Sequence, residues 1–379
     1  MNNVVSFLKS WAKDIDFILL FSVIPVIFFG LVTMYSFVDS NALFFRQIIW
    51  FFVSILTFFI FSSFDFNFLR KTNVIAWLYF GAVILLASLF VTGSVFKGAK
   101  SWFDLGLFAF QPVDLAKIIL ILVLAKYFSR RHIEIRNIRH IIVSGVYAAI
   151  LFLFVVLQPD FGSAILIFCI WFGMVLVSGI SKKHLFFVFV AGITSLLIMW
   201  NFVFADYQKA RIITFIDPLH DIQGTGYNAY QSMITVGSGQ LMGKGIGYGT
   251  QSRLKFLPEY QTDFIFSAFA EEWGFVGVTI LFFCYGLFIF RILSNARNSS
   301  TNFESLFAVG LAVLFMSHFI IHVGMNIGLL PVTGLNLPFM SYGGTNLLIS
   351  FSALGILMSM RKNSKNVRRD LSNTEIIGV

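Results

Sequence analysis

Apolar residues run in long blocks along this chain, broken by short polar segments. The blocks lie near Phe17 to Val38, Ile48 to Phe64, Val74 to Thr92, Val113 to Phe128, Ile141 to Leu157, Ser163 to Ile180, Leu185 to Phe204, Phe264 to Phe290, Ser305 to Leu330 and Gly343 to Met360. Each is close to the length a helix needs to cross roughly 30 Å of hydrocarbon. In lipid the backbone N–H and C=O groups must be paired internally, which favours helices here, because barrel strands are much shorter and alternate in character. The pattern predicts an all-α integral membrane protein, a polytopic bundle of about ten transmembrane helices. Two blocks depart from it: the fourth carries Asp114 and Lys117, and the last is short and begins in a Gly-rich turn. One membrane domain is expected over residues 1–379, with a long loop at 205–262 between the seventh and eighth helices and a polar tail at 361–379.

Composition agrees with that class, since 58% of the 379 residues are hydrophobic and 12% charged, against about 25% charged in soluble domains. Charge adds an orientation. Two-thirds of the 27 Lys and Arg residues fall at the N-terminus and around Arg70, Arg130 to His140, Lys182, Arg291 to Arg297 and Arg361 to Arg369. Basic loops stay cytoplasmic, so both termini are expected inside. The first apolar run is followed by no small-residue cleavage pattern and reads as a spanning helix, not a removable signal. Cys169 and Cys284 sit inside apolar runs and are expected to be free thiols.

The remaining cations, Arg46, Lys97, Lys100, Lys209, Arg211, Lys244, Arg253 and Lys255 in loops and Lys117 in a span, sit against this bias. Five of them share the loop at 205–262, which also holds eight glycines between Gly224 and Gly249. It reads as a structured external cap whose cations hold an anion, although long translocated loops also tolerate Lys and Arg freely. An ionisable group at membrane depth is costly unless paired or wetted, which singles out Asp114, Lys117, Asp160, Asp263, Glu271 and Glu272. Asp114 and Lys117 are three apart, on one helix face, as a pair. Asp160 follows Pro159 and can cap the next helix or face a substrate. Thr262 or Asp263 could cap the eighth span, yet the Asp263 carboxylate also hangs at the boundary below the basic loop. Gly243 to Gly249 looks like a phosphate cradle but lacks the strand and helix of a nucleotide site. His318 and His322 share a helix face without an evident third metal ligand. No nucleotide or redox cofactor and no nucleic-acid partner is expected.

An ordered series of short patterns then points to a family. Gly98-Ala99-Lys100-Ser101-Trp102 precedes Leu105-Gly106 and Gln111-Pro112. Gln158-Pro159-Asp160 follows. Tyr207-Gln208, Arg211, Gly226-Tyr227-Asn228, Gly243-Lys244-Gly245 and Gly249-Thr250-Gln251-Ser252 lead into Phe256-Leu257-Pro258-Glu259 and Thr262-Asp263-Phe264. Leu330-Pro331, Leu337-Pro338 and Ser341-Tyr342-Gly343-Gly344 close the series. The chain resembles the shape, elongation, division and sporulation family, and its Gly-Lys-Gly followed by Gly-Thr-Gln-Ser is similar to the elongation (RodA) branch more than to the division (FtsW) branch. Ser101 stands where the family usually has Arg, Val113-Asp114 where it has Ser-Glu, and His322 where it has Asn.

The resemblance implies a peptidoglycan glycosyltransferase that polymerises lipid II into glycan strands during elongation and rod-shape maintenance. For that reaction Asp263 is the candidate catalytic base and Lys100, Trp102, Asp160, Lys209, Arg211, Lys244, Arg253, Glu259 and Ser341 are the candidate substrate-binding residues, the cations on the ground of their charge against the topology bias, with Asp114 and Lys117 in support. A divalent cation, Mg²⁺ or Mn²⁺, suits a carboxylate facing a diphosphate. The implied partners are the growing glycan strand, a class B penicillin-binding transpeptidase and the elongation machinery, in the bacterial cytoplasmic (inner) membrane. Two other classes fit the same residues: a carrier that flips lipid II, for which Asp160 and Asp114 suit proton coupling, and a non-catalytic scaffold of the wall-synthesis complex.

Overall fold

The computed structural model describes residues 15–36, 42–96, 99–104, 106, 109–130, 138–202, 204–217, 226–254 and 256–377. Lys97, Gly98, Leu105 and Lys255 lie outside them, as do the extreme N-terminus and Gly224. Among the described residues, ten helices of 17 residues or more coincide with the ten apolar blocks: α1 (Phe17–Tyr35), α2 (Ala42–Ser63), α3 (Thr72–Thr92), α4 (Pro112–Ser129), α5 (Ile138–Leu157), α6 (Phe161–Val177) and α7 (Lys182–Phe202) come first. The cap contributes the shorter α8 (Asp206–Ile216), α9 (Tyr227–Ser238) and α10 (Thr250–Arg253), and α11 (Ile265–Arg297), α12 (Asn302–Asn326) and α13 (Gly344–Ile377) complete the bundle. Seven of the ten are long and apolar enough to cross a membrane. The other three are α4, with three charged residues, α6, the shortest at 17 residues, and α13, which turns polar from Arg361 onward.

The charged α4 is also the most enclosed. Most of its residues, Asp114 and Lys117 among them, are buried against α3, α6 and α12. Its two inward charges are therefore paired away from lipid, Lys117 Nζ lying 2.6 Å from Asp114 Oδ1, as a charge at membrane depth requires. By contrast α7 presents Phe186, Phe187 and Phe189 outward, the character of a helix at the rim of the bundle. The apolar side chains on outer faces, such as Phe52 on α2 and Trp77 on α3, have nothing polar to repel lipid.

One end of the bundle is fastened by ions. Asp16 caps α1 by accepting from Leu19 N, and its other oxygen accepts from Arg291 Nη2 at 2.7 Å and lies 2.9 Å from Arg361 Nη1. The first, eleventh and thirteenth helices are thereby tied at one carboxylate. Beside it Arg70 pairs with buried Glu304, and Lys126 donates to the Arg70 carbonyl. The opposite end carries the cap and a small element that apolar periodicity did not reveal: an antiparallel sheet of β1 (Ser94–Phe96), β2 (Ala99–Asp104) and β3 (Ala109–Phe110) between α3 and α4. Ser94 faces Trp102 and Phe103 faces Phe110 across it. Strands this short contribute too few alternating positions to stand out from a polar loop.

Candidate active site

A cavity of about 900 Å³ opens at the capped end. The hairpin supplies Trp102, the turn before α6 supplies Asp160, α8 supplies Arg211, the turn before α11 supplies Glu259 and Asp263, and the last loop supplies Val332 to Gly334. These segments are far apart in sequence and meet because the helices they connect are bundled. Five of the residues expected in the site, Trp102, Asp160, Arg211, Glu259 and Asp263, thus face one space. Arg46, from the start of α2, faces it too, a cation that sequence reasoning counted on the outer side without assigning it a role. Under the cavity Asn346 donates to Asp114 Oδ2 at 3.1 Å, so the Asp114–Lys117 pair is anchored to a residue of the wall.

Asp263 is held through its backbone. It precedes Phe264, which takes the N-cap position of α11 and has no polar side chain, so neither Thr262 nor Asp263 occupies that position, and the Thr262 hydroxyl turns back to Glu259 Oε2 at 2.9 Å. Instead Asn326 Nδ2, at the end of α12, donates to the Asp263 carbonyl at 3.1 Å and to the His322 carbonyl at 2.7 Å. Its Oδ1 accepts from Ser267 N and Oγ. Ser232 of α9 donates to the Asn326 carbonyl and lies 2.6 Å from Ser267 Oγ. Every side chain of this knot is fully buried, where an unmade hydrogen bond costs about 1–3 kcal/mol. Glu259 adds strain: its backbone φ is 53°, a region costly for a residue with a Cβ.

The last loop forms the facing wall and is pinned from three sides. His318 Nδ1 lies 3.2 Å from the Asn336 carbonyl and His322 Nδ1 2.7 Å from the Leu335 carbonyl, so both imidazoles orient backbone. Ser341 Oγ donates to the Thr262 carbonyl and accepts from Leu337 N. That hydroxyl is spent on the wall and is buried behind it, outside the cavity lining. Arg211 Nη1 donates to the Val332 carbonyl at 3.4 Å.

The phosphate cradle read from Gly243 to Gly249 holds protein carboxylates. Lys244 Nζ lies 2.8 Å from Glu271 Oε1, which also accepts from Gln251 N, while Glu271 Oε2 accepts from Ser252 N and Oγ. Gly247 N donates to Glu272 Oε1 at 2.8 Å. Loop and helix approach so closely that a Cβ on Gly243 would sit 2.1 Å from the Glu272 carbonyl, and Gly274, whose φ of 63° breaks α11 at this contact, would meet Gly243 N at 2.2 Å. The anion expected at this loop is therefore part of the chain, and Lys244 lies away from the cavity. Lys244→Gln removes the one cation that, among the described residues, pairs with the fully buried Glu271 carboxylate. The apparent unfolding temperature is expected to fall, by an amount equivalent to about 1–3 kcal/mol, while Arg253→Gln leaves it unchanged.

The other expected contacts are dispersed. Lys100 Nζ donates to the Phe90 carbonyl at 2.6 Å, Arg253 is exposed on α10, and Lys209 is half-buried; none lines the cavity. Asp160 caps α6 by accepting from Ser163 N at 3.0 Å, and it also lines the cavity while accepting from Gln111 Nε2 at 3.1 Å. Its open face looks into the cavity and the rest is surrounded by protein. That burial pushes its carboxyl above the usual carboxylate range, opposed by the Ser163 hydrogen bonds and the Lys117 charge.

Comparison with known proteins places this arrangement. Residues 13–366 match the FtsW, RodA and SpoVE family model, described as cell cycle protein. The chain is 37% identical over 300 residues to the peptidoglycan glycosyltransferase MrdB of Escherichia coli K12, covering 78% of this chain and 80% of that one. Among solved structures it resembles, at a TM-score of 0.80 and 29% identity over 92% of its length and 98% of the other's, a chain from a peptidoglycan synthase complex that coordinates polymerization and crosslinking. The rod shape determining protein RodA of Thermus thermophilus matches at a TM-score of 0.70 and 27% identity, over 92% of this chain and 97% of that one. An all-helical membrane bundle, its ordered loop patterns and these likenesses have one explanation: the chain belongs to the FtsW, RodA and SpoVE family.

Proposed function

We propose that the protein is a peptidoglycan glycosyltransferase, polymerising lipid II into glycan strands during elongation and rod-shape maintenance. The observation that carries this reading is the convergence of Asp263, Arg211 and Arg46 on one cavity at one end of a membrane bundle. In the reaction the 4-hydroxyl oxygen of one lipid-linked disaccharide attacks the anomeric carbon of the growing chain. The bond from that carbon to the diphosphate oxygen breaks, and undecaprenyl diphosphate leaves with the bonding electrons. Asp263 takes the hydroxyl proton, a contribution of about 10²–10⁴-fold for a positioned base. Arg46 and Arg211 hold the diphosphate, where fixed cations stabilise the charge that develops on the leaving group. Trp102 and Asp160 line the sugar-bearing side.

The cavity's own donors are hard carboxylate oxygens, since both nearby imidazoles face backbone carbonyls. This set fits Mg²⁺ or Mn²⁺, which take oxygen ligands and share them with substrate phosphates. Asp263 and Glu259 would hold such an ion, which when bound neutralises diphosphate charge.

The cavity faces the outside and both termini lie in the cytoplasm of a bacterial cell, the bundle spanning the cytoplasmic (inner) membrane with its basic loops inward. A class B penicillin-binding transpeptidase, which crosslinks the strands, is the expected partner. Orientation is tested by single cysteines at Arg253, which is exposed on the cap, and at Ser364, with Cys169 and Cys284 replaced by alanine. A membrane-impermeant maleimide is expected to label the first in intact spheroplasts and the second only after lysis; the reverse pattern inverts the assignment.

Activity is tested with purified protein and lipid II in detergent, reading glycan strands and released undecaprenyl diphosphate. Movement of lipid II across liposomes without polymer would instead identify a carrier, which needs a site reachable from both sides.

A further inference from the structure

The segment that follows α12 doubles back along that helix. Leu329 N and Leu330 N donate to the Gly324 carbonyl at 2.8 and 3.1 Å, and the Leu330 side chain takes the space beside Gly324, where a Cβ would meet it at 2.8 Å. Thr333 Oγ1 then donates to Met325 Sδ at 3.5 Å, the Leu335 carbonyl meets His322 Nδ1 at 2.7 Å, and the Asn336 carbonyl meets His318 Nδ1 at 3.2 Å. As the chain advances from 333 to 336, its partners step down α12 from 325 to 318. The segment is thus a strap laid antiparallel to the helix, over the face on which residues three and four apart line up.

This strap reaches three parts of the candidate active site. Its Val332 carbonyl accepts from Arg211 Nη1. The first turn of α6, which follows Asp160, lies so close that a Cβ on Gly162 would stand 2.8 Å from both the Thr333 carbonyl oxygen and Leu335 Cγ. Gly334, at a φ of 72°, lies beside the base: a Cβ there would stand 3.8 Å from Asp263 Oδ2. Asn326, on the same helix, holds the Asp263 carbonyl. One stretch of α12 therefore carries both the backbone of Asp263 and the wall next to its carboxylate.

His322 is the fully buried tether in the middle of the strap. A carbonyl oxygen only accepts, so Nδ1 carries the proton. We propose that His322 is a positioning residue for glycosyl transfer: its Nδ1–H holds the strap and, through Val332, Thr333 and Gly334, sets the spacing of Arg211, Asp160 and Asp263. The proposal rests on Asp263 acting as the base and deepens that reading. What matters at position 322 is a donor on the δ atom, which an asparagine amide also supplies, whereas a glutamine amide presents its N–H one atom further out. A misplacement of about 1 Å that starts away from the chemistry can cost about 10²-fold in rate.

The test is polymerisation of lipid II by the purified full chain, with kcat and KM separated, at a temperature where circular dichroism shows each variant folded. His322→Leu and His322→Gln are expected to lower kcat by about 10- to 100-fold, with KM moving less, while His322→Asn stays within about threefold of the parent. If His322→Leu does not fold, the two amide variants still separate donor position from bulk, since a merely structural role would affect them alike. Hydrogen exchange of residues 330–337, read by mass spectrometry without turnover, should quicken in His322→Gln and stay parental in His322→Asn. A parent chain that makes no polymer would sink the glycosyltransferase reading and leave the tether to be judged by exchange. A parent that polymerises while His322→Gln matches His322→Asn in kcat overturns the proposal, as does equal exchange in the two variants.

Discussion

Asp263→Asn is expected to leave at most about 1% of the polymerising rate, with binding of lipid II largely kept. The substitution preserves volume and lets the side chain hydrogen-bond, but an amide cannot accept the hydroxyl proton as the acceptor oxygen attacks. A general base contributes about 10²–10⁴-fold, and the loss should fall on kcat, since the groups proposed to bind diphosphate are untouched. The backbone knot gives a control that separates chemistry from folding. Asn326→Ala frees the Asp263 carbonyl and Ser267 N–H from their buried partner and is expected to lower thermal stability, which Asp263→Asn should not. Near-normal turnover by Asp263→Asn would remove this residue from the mechanism, whatever the behaviour of Asn326→Ala.

Arg211→Gln is expected to raise the apparent constant for lipid II by about 10- to 150-fold, the equivalent of one charge-assisted hydrogen bond of about 1.5–3 kcal/mol. Arg211→Lys should recover little, because a planar fork grips phosphate oxygens at two points and an ammonium does not. Of the five basic residues in the loop at 205–262, four were expected to hold the substrate, and the cavity separates them. Arg211 lines it, whereas Lys209, Lys244 and Arg253 do not, so Gln at Lys209 or Arg253 should change the constant little. Binding measured in detergent for the single variants decides it: if Arg253→Gln matches Arg211→Gln, the anion is held on the cap surface and not in the cavity.

The helices were legible because lipid imposes one solution on twenty apolar residues, and the burial of Asp114 and Lys117 followed from their spacing of three. Trp102, Asp160, Arg211, Glu259 and Asp263, which the ordered patterns in the loops singled out, line one cavity. Lys244 was misread for a physical reason: a lysine among glycines signals an anion, but nothing local reveals that the anion is a glutamate 27 residues further on. Arg46 carried a signal that was counted and not used, a cation against the topology bias just before the second span. Asn326, Ser267 and Ser232 carried almost none, since small polar residues inside apolar runs look like packing until their hydrogen bonds are seen. Ser341 shows the converse, a family-pattern residue whose hydroxyl is committed to holding two loops together.

The cavity wall draws on residues from Leu43 in α2 to Asn346 in α13, and this sets when in the life of the molecule a site can exist. Ribosomes extend a chain at about 5–20 residues per second, so roughly 15–60 s separate synthesis of the first wall from the last. Within that interval Asp160, Arg211 and Asp263 are added one after another, with no complete wall between them until the last loop is made. An interrupted chain that ends before Pro331 would span the membrane and still lack the wall that Ser341, His318 and His322 pin in place. A half-made protein therefore has an incomplete lining whatever the state of its earlier helices.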